Sequence, residues 1–400
     1  MIGMKKVLII GAGFLQDFVI QKAKKMGYVV LTVDADPNAI GFQHADKYKV
    51  IDIVDEKGCL EFAKQEKIDG VLTVATDYGV LTASYIAQKM NIPGLNYESA
   101  KLIKNKYLVR KKLFENHVDD TEQSYEVNVE TNIEEIAERI NYPVMVKPCD
   151  GSGSRGASRV DKKEKLLQAC LYAMEGSISH RAEIESFIIG KEYGAESLVV
   201  NGEIHVMAIM KKWMTNPPYY AELGHAIPCG LSKDIEQKAV NCVTEAIKVL
   251  GINHGSVNMD LLITDSGKVH IIDVGARMGG NMIGPCIIPY GTGIDYMGNM
   301  LRVAVNDPLD WSVQKKTAVA SKLLAFKEGV VKKIPDTDEY SNKSIEIFHH
   351  LVKGQRVKEY HTNLDGCGYI IVKSGDVENA EKIAANTLKD ISECIFERAE

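Results

Sequence analysis

The sequence predicts an α/β domain followed by an α+β region. Over the first hundred residues, short apolar runs alternate with amphipathic stretches, a pattern typical of βαβ units around a parallel sheet. From about residue 124 the apolar runs follow one another directly, and Asn201-Gly202 separates two of them as a hairpin turn would. The antiparallel pairing that this implies favours an α+β architecture for the second region.

The first region contains a predicted strand at each of 6–10, 28–34, 48–53 and 70–75. Helical patterns at 16–27 and 57–67 lie between these strands, which is the alternation that a doubly wound parallel sheet requires. The strongly charged segment 98–116 has the composition of one continuous helix. We expect that helix to link the two regions.

The second region begins with strands and ends with a helix. Its predicted strands are 142–148, 182–189, 195–200, 203–210, 256–264 and 268–275. A helix over 234–250 ends at Gly251, and a second amphipathic helix occupies 377–398. The last 75 residues are predicted to form a small α+β piece that covers the floor of a site.

Composition and charge exclude several classes of protein. Of the 400 residues, 45% are hydrophobic and 26% are charged, which excludes disordered and collagen-like chains. A formal net charge of −6 gives no bulk attraction to nucleic acid. No apolar run reaches the roughly 18 residues that span a bilayer, and eight cysteines are scattered without a C-x-x-C pair. We therefore expect a cytoplasmic protein that binds neither nucleic acid nor membrane.

A glycine turn follows the first strand. Gly11-Ala12-Gly13 and Asp34, at the end of the next strand, form most of a dinucleotide-binding fingerprint. Gln16 stands where that fingerprint requires a small residue. The turn therefore fits a nicotinamide dehydrogenase less well than a tight turn in a doubly wound domain that holds no dinucleotide.

A second glycine loop follows a strand that ends in a lysine. After Lys147, residues 151–156 alternate glycine and serine: Gly151, Ser152, Gly153, Ser154 and Gly156. Backbone N–H groups of such a loop can surround phosphate oxygens because no Cβ blocks their approach. Lys147 would add a cation beside them. The alternative is a flexible surface turn, and the phosphate interpretation is favoured.

Two aspartates are predicted to face each other across a hairpin. If the turn at Ser266-Gly267 has two residues, Asp260 lies directly opposite Asp273. Carboxylates about 5 Å apart repel each other by about 3 kcal/mol at an effective dielectric of about 20. A cation between them is therefore favoured over a solvated face with one protonated acid, and oxygen ligands alone favour Mg²⁺ or Mn²⁺.

The same register assigns the other residues of the hairpin to its two faces. Asn258 would lie opposite Gly275, and Ser256 opposite Arg277, on the face of the two aspartates. The opposite face would be buried through Val257, Met259, Leu261, Ile272 and Val274. The hairpin would thus present a small polar platform outside the core.

In this order, the motifs resemble the ATP-grasp superfamily over nearly the whole chain. The resemblance rests on Lys106 in the linking segment, the Lys147 strand with its glycine loop, the E-x-F-I-x-G-K-E run at 185–192, and the run from Asp273 to Gly280. It implies a Rossmann-like pre-ATP-grasp domain, a two-subdomain ATP-grasp fold and a small C-terminal α+β piece. The implied boundaries are 1–97, 98–123 for the linking helix, 124–200 for the lid, 201–325 for the core with the metal and substrate site, and 326–400.

The resemblance also implies a nucleotide site with ATP and Mg²⁺, or Mn²⁺, as cofactors. Lys106, Lys147 and the 151–156 loop would contact the phosphates, and Glu192 would contact the ribose. The hinge beside the adenine would be Glu185, Ser186, Phe187 and Ile188, and the metal ligands would be Asp260 and Asp273.

The chain departs from the superfamily pattern at the metal site. The second acid is more often Glu in these proteins, and Gly275 stands where an Asn is usual. Gly275 leaves open whether one or two metal ions bind. Asn258, opposite Gly275 in the predicted register, is our candidate for the missing amide oxygen.

The segment 210–228 resembles the carboxylate–amine (amino-acid) ligase branch, and it makes Glu222 and His225 substrate-side candidates. Arg277 is expected to hold the transferring phosphoryl group, with donors from Gly279, Gly280 and Asn281.

The implied activity is an ATP-dependent ligase that joins a small carboxylate, such as an amino acid, to an amine through an acyl phosphate. The alternatives are a bicarbonate-phosphorylating enzyme similar to carboxylases or carbamoyl-phosphate synthetases, and a non-catalytic ATP-binding regulator. Small molecules are the expected partners, and a homodimer is the default oligomer.

Overall fold

The computed structural model describes residues 4–151, 153, 155–217, 219–340 and 344–396. These residues form a parallel four-stranded sheet, an antiparallel four-stranded sheet, an eight-stranded sheet and a two-stranded ribbon. The α/β and α+β classes predicted for the two regions are confirmed. None of the helices in this described part combines the length and apolar character that a bilayer crossing requires.

The first domain is the predicted doubly wound unit. Its elements are β1 (Lys6–Ile10), α1 (Phe14–Lys25), β2 (Val29–Asp34), β3 (Lys47–Val50), α2 (Glu56–Glu66), β4 (Gly70–Thr73) and α3 (Gly79–Met90). The strands are parallel in the order β3-β2-β1-β4. Because β1 and β2 carry apolar side chains on both faces, the sheet is buried between helices.

The glycine turn after β1 is filled by the protein itself. The Gln16 amide donates to the carbonyl of Val74 at 2.6 Å, and a Cβ at Gly13 would lie 3.0 Å from Gln16 Oε1. Asp34, the ribose ligand of a dinucleotide site, instead accepts from the Ala12 N–H at 2.8 Å. The geometry agrees with a tight turn that stabilises the domain.

The linking segment is two helices, where we predicted one. α4 (Tyr97–Ile103) ends just before Asn105, whose side chain accepts from Leu108 N and caps α5 (Lys106–Glu115). An Asn cap starts a new helix because its side chain satisfies a backbone donor that otherwise lacks a partner. The break places Lys106 at the first turn of α5, where it points toward the second region.

The lid is an antiparallel sheet with two helices. It contains β5 (Ser124–Val127), α6 (Ile133–Arg139), β6 (Val144–Pro148), β7 (Ser158–Val160), α7 (Leu166–Glu175) and β8 (Ala182–Ser186), with strand order β5-β8-β6-β7. The strand predicted over 182–189 therefore ends at Ser186. The lid ends before residue 191, since the next strand belongs to another sheet, and the predicted boundary at residue 200 is wrong.

The eight-stranded sheet forms the core and takes in the C-terminal piece. It begins with β9 (Lys191–Val200), β10 (Glu203–Met214), β11 (Glu222–Ile227), α8 (Lys233–Val249), β12 (Gly255–Ile263), β13 (Val269–Gly275), α9 (Ile288–Thr292), α10 (Tyr296–Ala304) and β14 (Ala318–Leu323). It is completed by β15 (Gly329–Val330), α11 (Thr337–Tyr340), β16 (Ile345–His349), β17 (Arg356–Val357), β18 (Gly368–Ser374) and α12 (Val377–Ile395), of which β15 and β17 form the ribbon.

The C-terminal residues do not form a sheet of their own. The strand order is β13-β12-β9-β10-β11-β14-β18-β16, so β18 and β16 extend the core sheet at one edge. The predicted boundary at residue 326 therefore does not mark the edge of a separate sheet, because strands on both sides of it belong to the core sheet. At β9–β10, Asn201 and Gly202 have φ values of 51° and 88°, which confirms the predicted hairpin turn.

The register predicted for the β12–β13 hairpin is correct at the two aspartates and wrong next to the turn. Asp260 lies opposite Asp273, and Asn258 opposite Gly275, as predicted. The turn has three residues, however, because Thr264 N donates to Lys268 O and Gly267 adopts φ +78°. A bulge after Asp260 then restores the predicted register.

The bulge changes one face assignment. Ile271, rather than Ile272, is buried in the core with Leu261. Ile272 instead lines the cavity described below. The prediction that Ile272 lies on the face opposite the aspartates is therefore wrong, and the reason is the extra residue in β13.

Candidate active site

A cavity of about 1050 Å³ lies between the lid sheet and the core sheet. Parts of both sheets, of the first domain and of the C-terminal segment line it. The predicted site residues among its lining are Lys106, Lys147, Gly151, Gly153, Glu185, Ser186, Phe187, Ile188, Glu192, Glu222, His225, Asn258, Asp260, Asp273, Arg277, Gly280 and Asn281. The cavity thus collects side chains from segments 175 residues apart in the sequence.

At one end, Lys147 belongs to a buried cluster of charges. Its Nζ lies 2.7 Å from Glu185 and 3.7 Å from Glu183, and it donates to the carbonyl of Ile272 at 3.1 Å. Arg110, which sequence analysis missed, lies 2.9 Å from the other oxygen of Glu185. Burial raises the pKa of Glu185, but Arg110 and Lys147 outweigh it and hold that pKa below its usual range.

The pairing of Glu185 changes its expected role. Its carboxylate is 5% exposed and both oxygens accept from cations. The three residues that follow it, Ser186, Phe187 and Ile188, line the cavity, and Arg159 lies over the Phe187 ring at 4.4 Å. Glu185 therefore holds Lys147 in place, which leaves residues 186–188 as the surface of the predicted hinge.

The glycine loop packs closely on the strand that precedes it. A Cβ at Gly156, where φ is +74°, would lie 2.7 Å from Pro148 Cγ, and one at Gly151 would lie 2.9 Å from Pro148 Cβ. Arg155 donates to the Tyr78 hydroxyl at 2.8 Å, so the loop contacts the first domain. The predicted positions Ser152 and Ser154 lie outside the described residues.

The facing aspartates are each held by a lysine. Lys106 Nζ donates to Asp273, and Lys212 Nζ lies 2.7 Å from Asp260. Burial alone would raise the pKa of Asp273. Lys106 and Lys147 outweigh burial and lower that pKa to about 2. For Asp260 burial prevails, and its pKa is raised although Lys212 opposes this. The two acids thus have different proton affinities in one site.

Lys212 lies at the floor of the cavity among three carboxylates. Its side chain is 1% exposed, and its Nζ lies 2.7 Å from Asp260, 2.7 Å from Glu222 and 3.6 Å from Glu192. Burial lowers the pKa of Lys212, but the three acids together raise it well above the usual value. Lys212 therefore stays charged and ties the predicted metal, ribose and substrate positions together.

Arg277 projects into the cavity between Asn258 and the first domain. It donates to Asp77 at 3.0 Å and to the Asn258 amide oxygen at 3.3 Å. Asn258 in turn donates to Glu196 at 2.9 Å. The amide oxygen predicted for a metal thus already accepts one hydrogen bond from Arg277, which uses one of its two lone pairs.

The backbone after Arg277 is less available than predicted. Gly279 N donates to both oxygens of Glu196, at 3.2 and 3.3 Å, which removes it from the donors that we assigned to the substrate. Burial raises the pKa of Glu196 to about 7, although Tyr296, Asn258 and Gly279 donate to it. Glu196 therefore holds the backbone at Gly279 in place.

Glu222 and His225 occupy the remaining wall. Glu222 accepts from Lys212 and from the Asn281 amide, whose oxygen accepts from the Tyr369 hydroxyl at 3.2 Å. His225 is 2% exposed, and burial lowers its pKa to about 4. Its Nδ1 has no hydrogen-bond partner within the described chain. His225 is thus a neutral ring at the base of the wall.

Residues 140–285 match the family model of the ATP-grasp domain. The chain contains an ATP-grasp domain. The match covers the lysine strand, the glycine loop, the 185–192 run and the acidic hairpin that build the cavity.

Solved structures have the same fold over nearly the whole chain. A phosphoribosylglycinamide synthetase from Anaerococcus prevotii superimposes with a TM-score of 0.80 at 24% identity, covering 99% of this chain and 100% of that one. An L-amino acid ligase from Bacillus licheniformis superimposes with a TM-score of 0.83 at 23% identity and covers 97% of both chains. The ATP-grasp architecture predicted from the sequence is confirmed.

A curated relative shares part of its length with this chain. Carnosine synthase 1 from Homo sapiens is 22% identical over 305 residues, which are 69% of this chain and 37% of that protein. The chain therefore spans less than half of that relative.

Four charged residues around the ATP-grasp cavity were not among the residues predicted from the sequence: Arg110, Lys212, Glu196 and Asp77. Lys212 lies in the 210–228 segment that we singled out for other residues, and a lysine inside a buried strand was an available signal. Asp77 follows the carboxyl end of a parallel strand, the edge where open α/β sheets bind ligands. Partners for Arg110 and Glu196 come from distant segments, which one sequence does not reveal.

Proposed function

We propose that this chain is an ATP-dependent carboxylate–amine ligase that activates a small carboxylate as an acyl phosphate and releases ADP and phosphate. The observation that carries the proposal is one cavity in which Lys106 and Lys147, the Asp260–Asp273 pair and Arg277 meet. Cations for phosphates, acids for a metal and an arginine for the reacting groups are the parts that phosphoryl transfer needs.

The nucleotide would lie between the lid and the core. Its phosphates would contact Lys106, Lys147 and the glycine loop, because these donors share one end of the cavity. The adenine would stack beside Phe187, with its ribose near Glu192. The Glu192 side chain is 20% exposed, so a ribose beside it would be largely shielded from solvent.

The donor set at the hairpin suits a magnesium ion. Asp260 and Asp273 offer only carboxylate oxygens, which hard divalent cations prefer to nitrogen or sulfur. Bound there, Mg²⁺ would neutralise charge on the β- and γ-phosphates. Lys106 and Lys212 already contact these carboxylates and balance their charge. Asn258 stays a candidate third ligand.

The chemistry that we propose joins two substrates in sequence. A carboxylate oxygen attacks the γ-phosphorus of ATP, and the acyl phosphate forms as ADP leaves. The amine then attacks the acyl carbon, and phosphate leaves. Arg277 would stabilise the charge on the transferring group, since its side chain lines the cavity, is 16% exposed and is held in place by Asp77. Closure of the lid would exclude water from the acyl phosphate.

The names of similar proteins narrow the substrate. An L-amino acid ligase has this fold, and carnosine synthase 1 is a sequence relative. The name of the first protein favours an amino acid as one substrate. Glu222, held by Lys212 and Asn281, is our candidate for the amine side of the cavity.

The test is an ADP- and phosphate-release screen with Mg-ATP and amino acids, singly and in pairs, with bicarbonate as a separate arm. We expect release that depends on an added amino acid and an amide product by mass spectrometry. Asp260→Asn should abolish release, whereas Asp265→Asn, in the exposed turn of the same hairpin, should keep it. Release driven by bicarbonate alone would favour the carboxylase alternative. ATP binding without any release would contradict the ligase.

A further inference from the structure

Asp77 and Arg277 form an ion pair that joins two domains at the wall of the cavity. Asp77 follows β4 in the first domain, and Arg277 follows β13 in the core. The pair is anchored by backbone contacts, because Val74 bridges Met278 and Ala75 N donates to Met278 O at 3.0 Å. The two backbone segments that carry these side chains are therefore held next to each other.

Gly275 makes room for this pair. A Cβ at position 275 would lie 2.9 Å from Asp77 Oδ1 and 2.9 Å from Arg277 Cζ. Any side chain there would push the acid or the guanidinium away. The absence of a side chain at 275 thus permits an acid of the first domain to reach a cation of the core inside the cavity.

Both members of the pair retain capacity for a ligand. Their side chains are 25% and 16% exposed, and both line the cavity. One oxygen of Asp77 accepts from Arg277 at 3.0 Å, and the other lies beside Gly275. Arg277 Nε is buried and has no hydrogen-bond partner within the described part of the chain, so a ligand would reach the exposed part of the Arg277 side chain rather than Nε. A ligand that carries both charges could therefore contact both side chains.

We infer that Asp77 and Arg277 together bind the ammonium and carboxylate groups of an α-amino acid, which makes an α-amino acid the carboxylate substrate. In an α-amino acid these charged groups are attached to one carbon, so they match an acid and a cation whose charged atoms are 3.0 Å apart. The carboxylate then lies on Arg277, the residue that we assign to the reacting groups. This inference rests on the proposed ligase and deepens it.

The first experiment measures binding without turnover. Calorimetry with Mg²⁺ and a non-hydrolysable ATP analogue would test a panel of proteinogenic α-amino acids, followed by the des-amino carboxylic acid of the tightest binder. We expect the α-amino acid to bind about ten- to hundredfold more tightly than its des-amino analogue, the range for one charge-assisted contact. No binding of any α-amino acid would overturn the inference.

The second experiment removes only the charge at position 77. Asp77→Asn should reduce the preference for the α-amino acid to about one, and it should leave the affinity for the ATP analogue within about twofold. Asp36→Asn, at an exposed position after β2 of the same domain, is the matched control and should change neither. If Asp77→Asn weakens both ligands equally, Asp77 only orients Arg277 and the inference is wrong.

The two proposals fail separately. Selective α-amino acid binding without amide formation would contradict the ligase and leave the paired-charge site standing. Turnover of plain carboxylates as fast as of α-amino acids would contradict the paired-charge site and leave the ligase standing.

Discussion

At the floor of the cavity, the charge of Lys212 balances three carboxylates that would otherwise repel one another. It contacts Asp260, Glu222 and Glu192, and its side chain is 1% exposed. Removing one partner from a buried ionic cluster leaves uncompensated charge, which costs about 3–5 kcal/mol. We expect Lys212→Met to lose that much free energy of unfolding in urea titrations.

A second substitution separates charge from packing. Adding Glu222→Gln to Lys212→Met removes one of the unpaired acids, so we expect the double variant to be more stable than Lys212→Met alone. Equal stability of the two variants would mean that lost packing of the lysine stem, and not charge, dominates.

His225 predicts a pH dependence of stability. Burial lowers its pKa from 6.5 to about 4, so below pH 6.5 the unfolded chain takes up a proton that the folded chain refuses. Stability contributed by the neutral ring is therefore lost as the pH falls from about 6.5 to 4, by roughly 3 kcal/mol in total. His225→Gln should flatten this part of the pH profile, and His117→Asn, at an exposed position, should not. If the stability of His225→Gln still falls as steeply between pH 6.5 and 4, the buried ring of His225 is not the cause of that pH dependence.

At the scale of elements, local patterns predicted strands well and junctions less well. The Asp260–Asp273 pairing was predicted from a two-residue turn, and it held only because the bulge after Asp260 offsets the third residue of the turn. Neither the third turn residue nor the bulge was predictable, because both depend on how Ile271 packs in the core. The helix break at Asn105 carried a capping signal that the charge pattern of the segment concealed.

The joint between lid and core offers a test of the fold at this scale. Gly190 connects β8 to β9, and a Cβ there would lie 2.6 Å from the backbone oxygen of Ile263, which cannot move independently of β12. We expect Gly190→Ala to cost about 1–3 kcal/mol and to raise the KM for ATP about tenfold, because the hinge surface at 186–188 would shift. Gly375→Ala, with open space around its Cβ, is the control. Wild-type kinetics in Gly190→Ala would show that the lid position does not depend on this joint.

For the whole molecule, the first domain and the core share one hydrophobic cluster. Val7 and Ile9 of β1 pack in the same cluster as Leu198 of β9, Tyr296 of α10 and Ile371 of β18. Separate domains usually have separate cores and unfold in separate steps. Here the shared cluster couples the first domain to the sheet that carries Asp260 and Asp273, which also keeps Asp77 in register with Arg277.

We therefore expect one cooperative thermal transition despite the size of the chain. Both tryptophans, Trp213 and Trp311, lie outside the first domain, so their fluorescence reports on the rest, whereas far-UV circular dichroism includes α1–α3. The two signals should change at the same temperature. Met278 lies at the junction and is 1% exposed, so Met278→Ala should lower the free energy of unfolding by about 2–5 kcal/mol. Both midpoint temperatures should then fall together. An early loss of helicity without a fluorescence change would mean that the first domain unfolds alone, and the close placement that we assign to the segments of the Asp77–Arg277 pair would lose its basis.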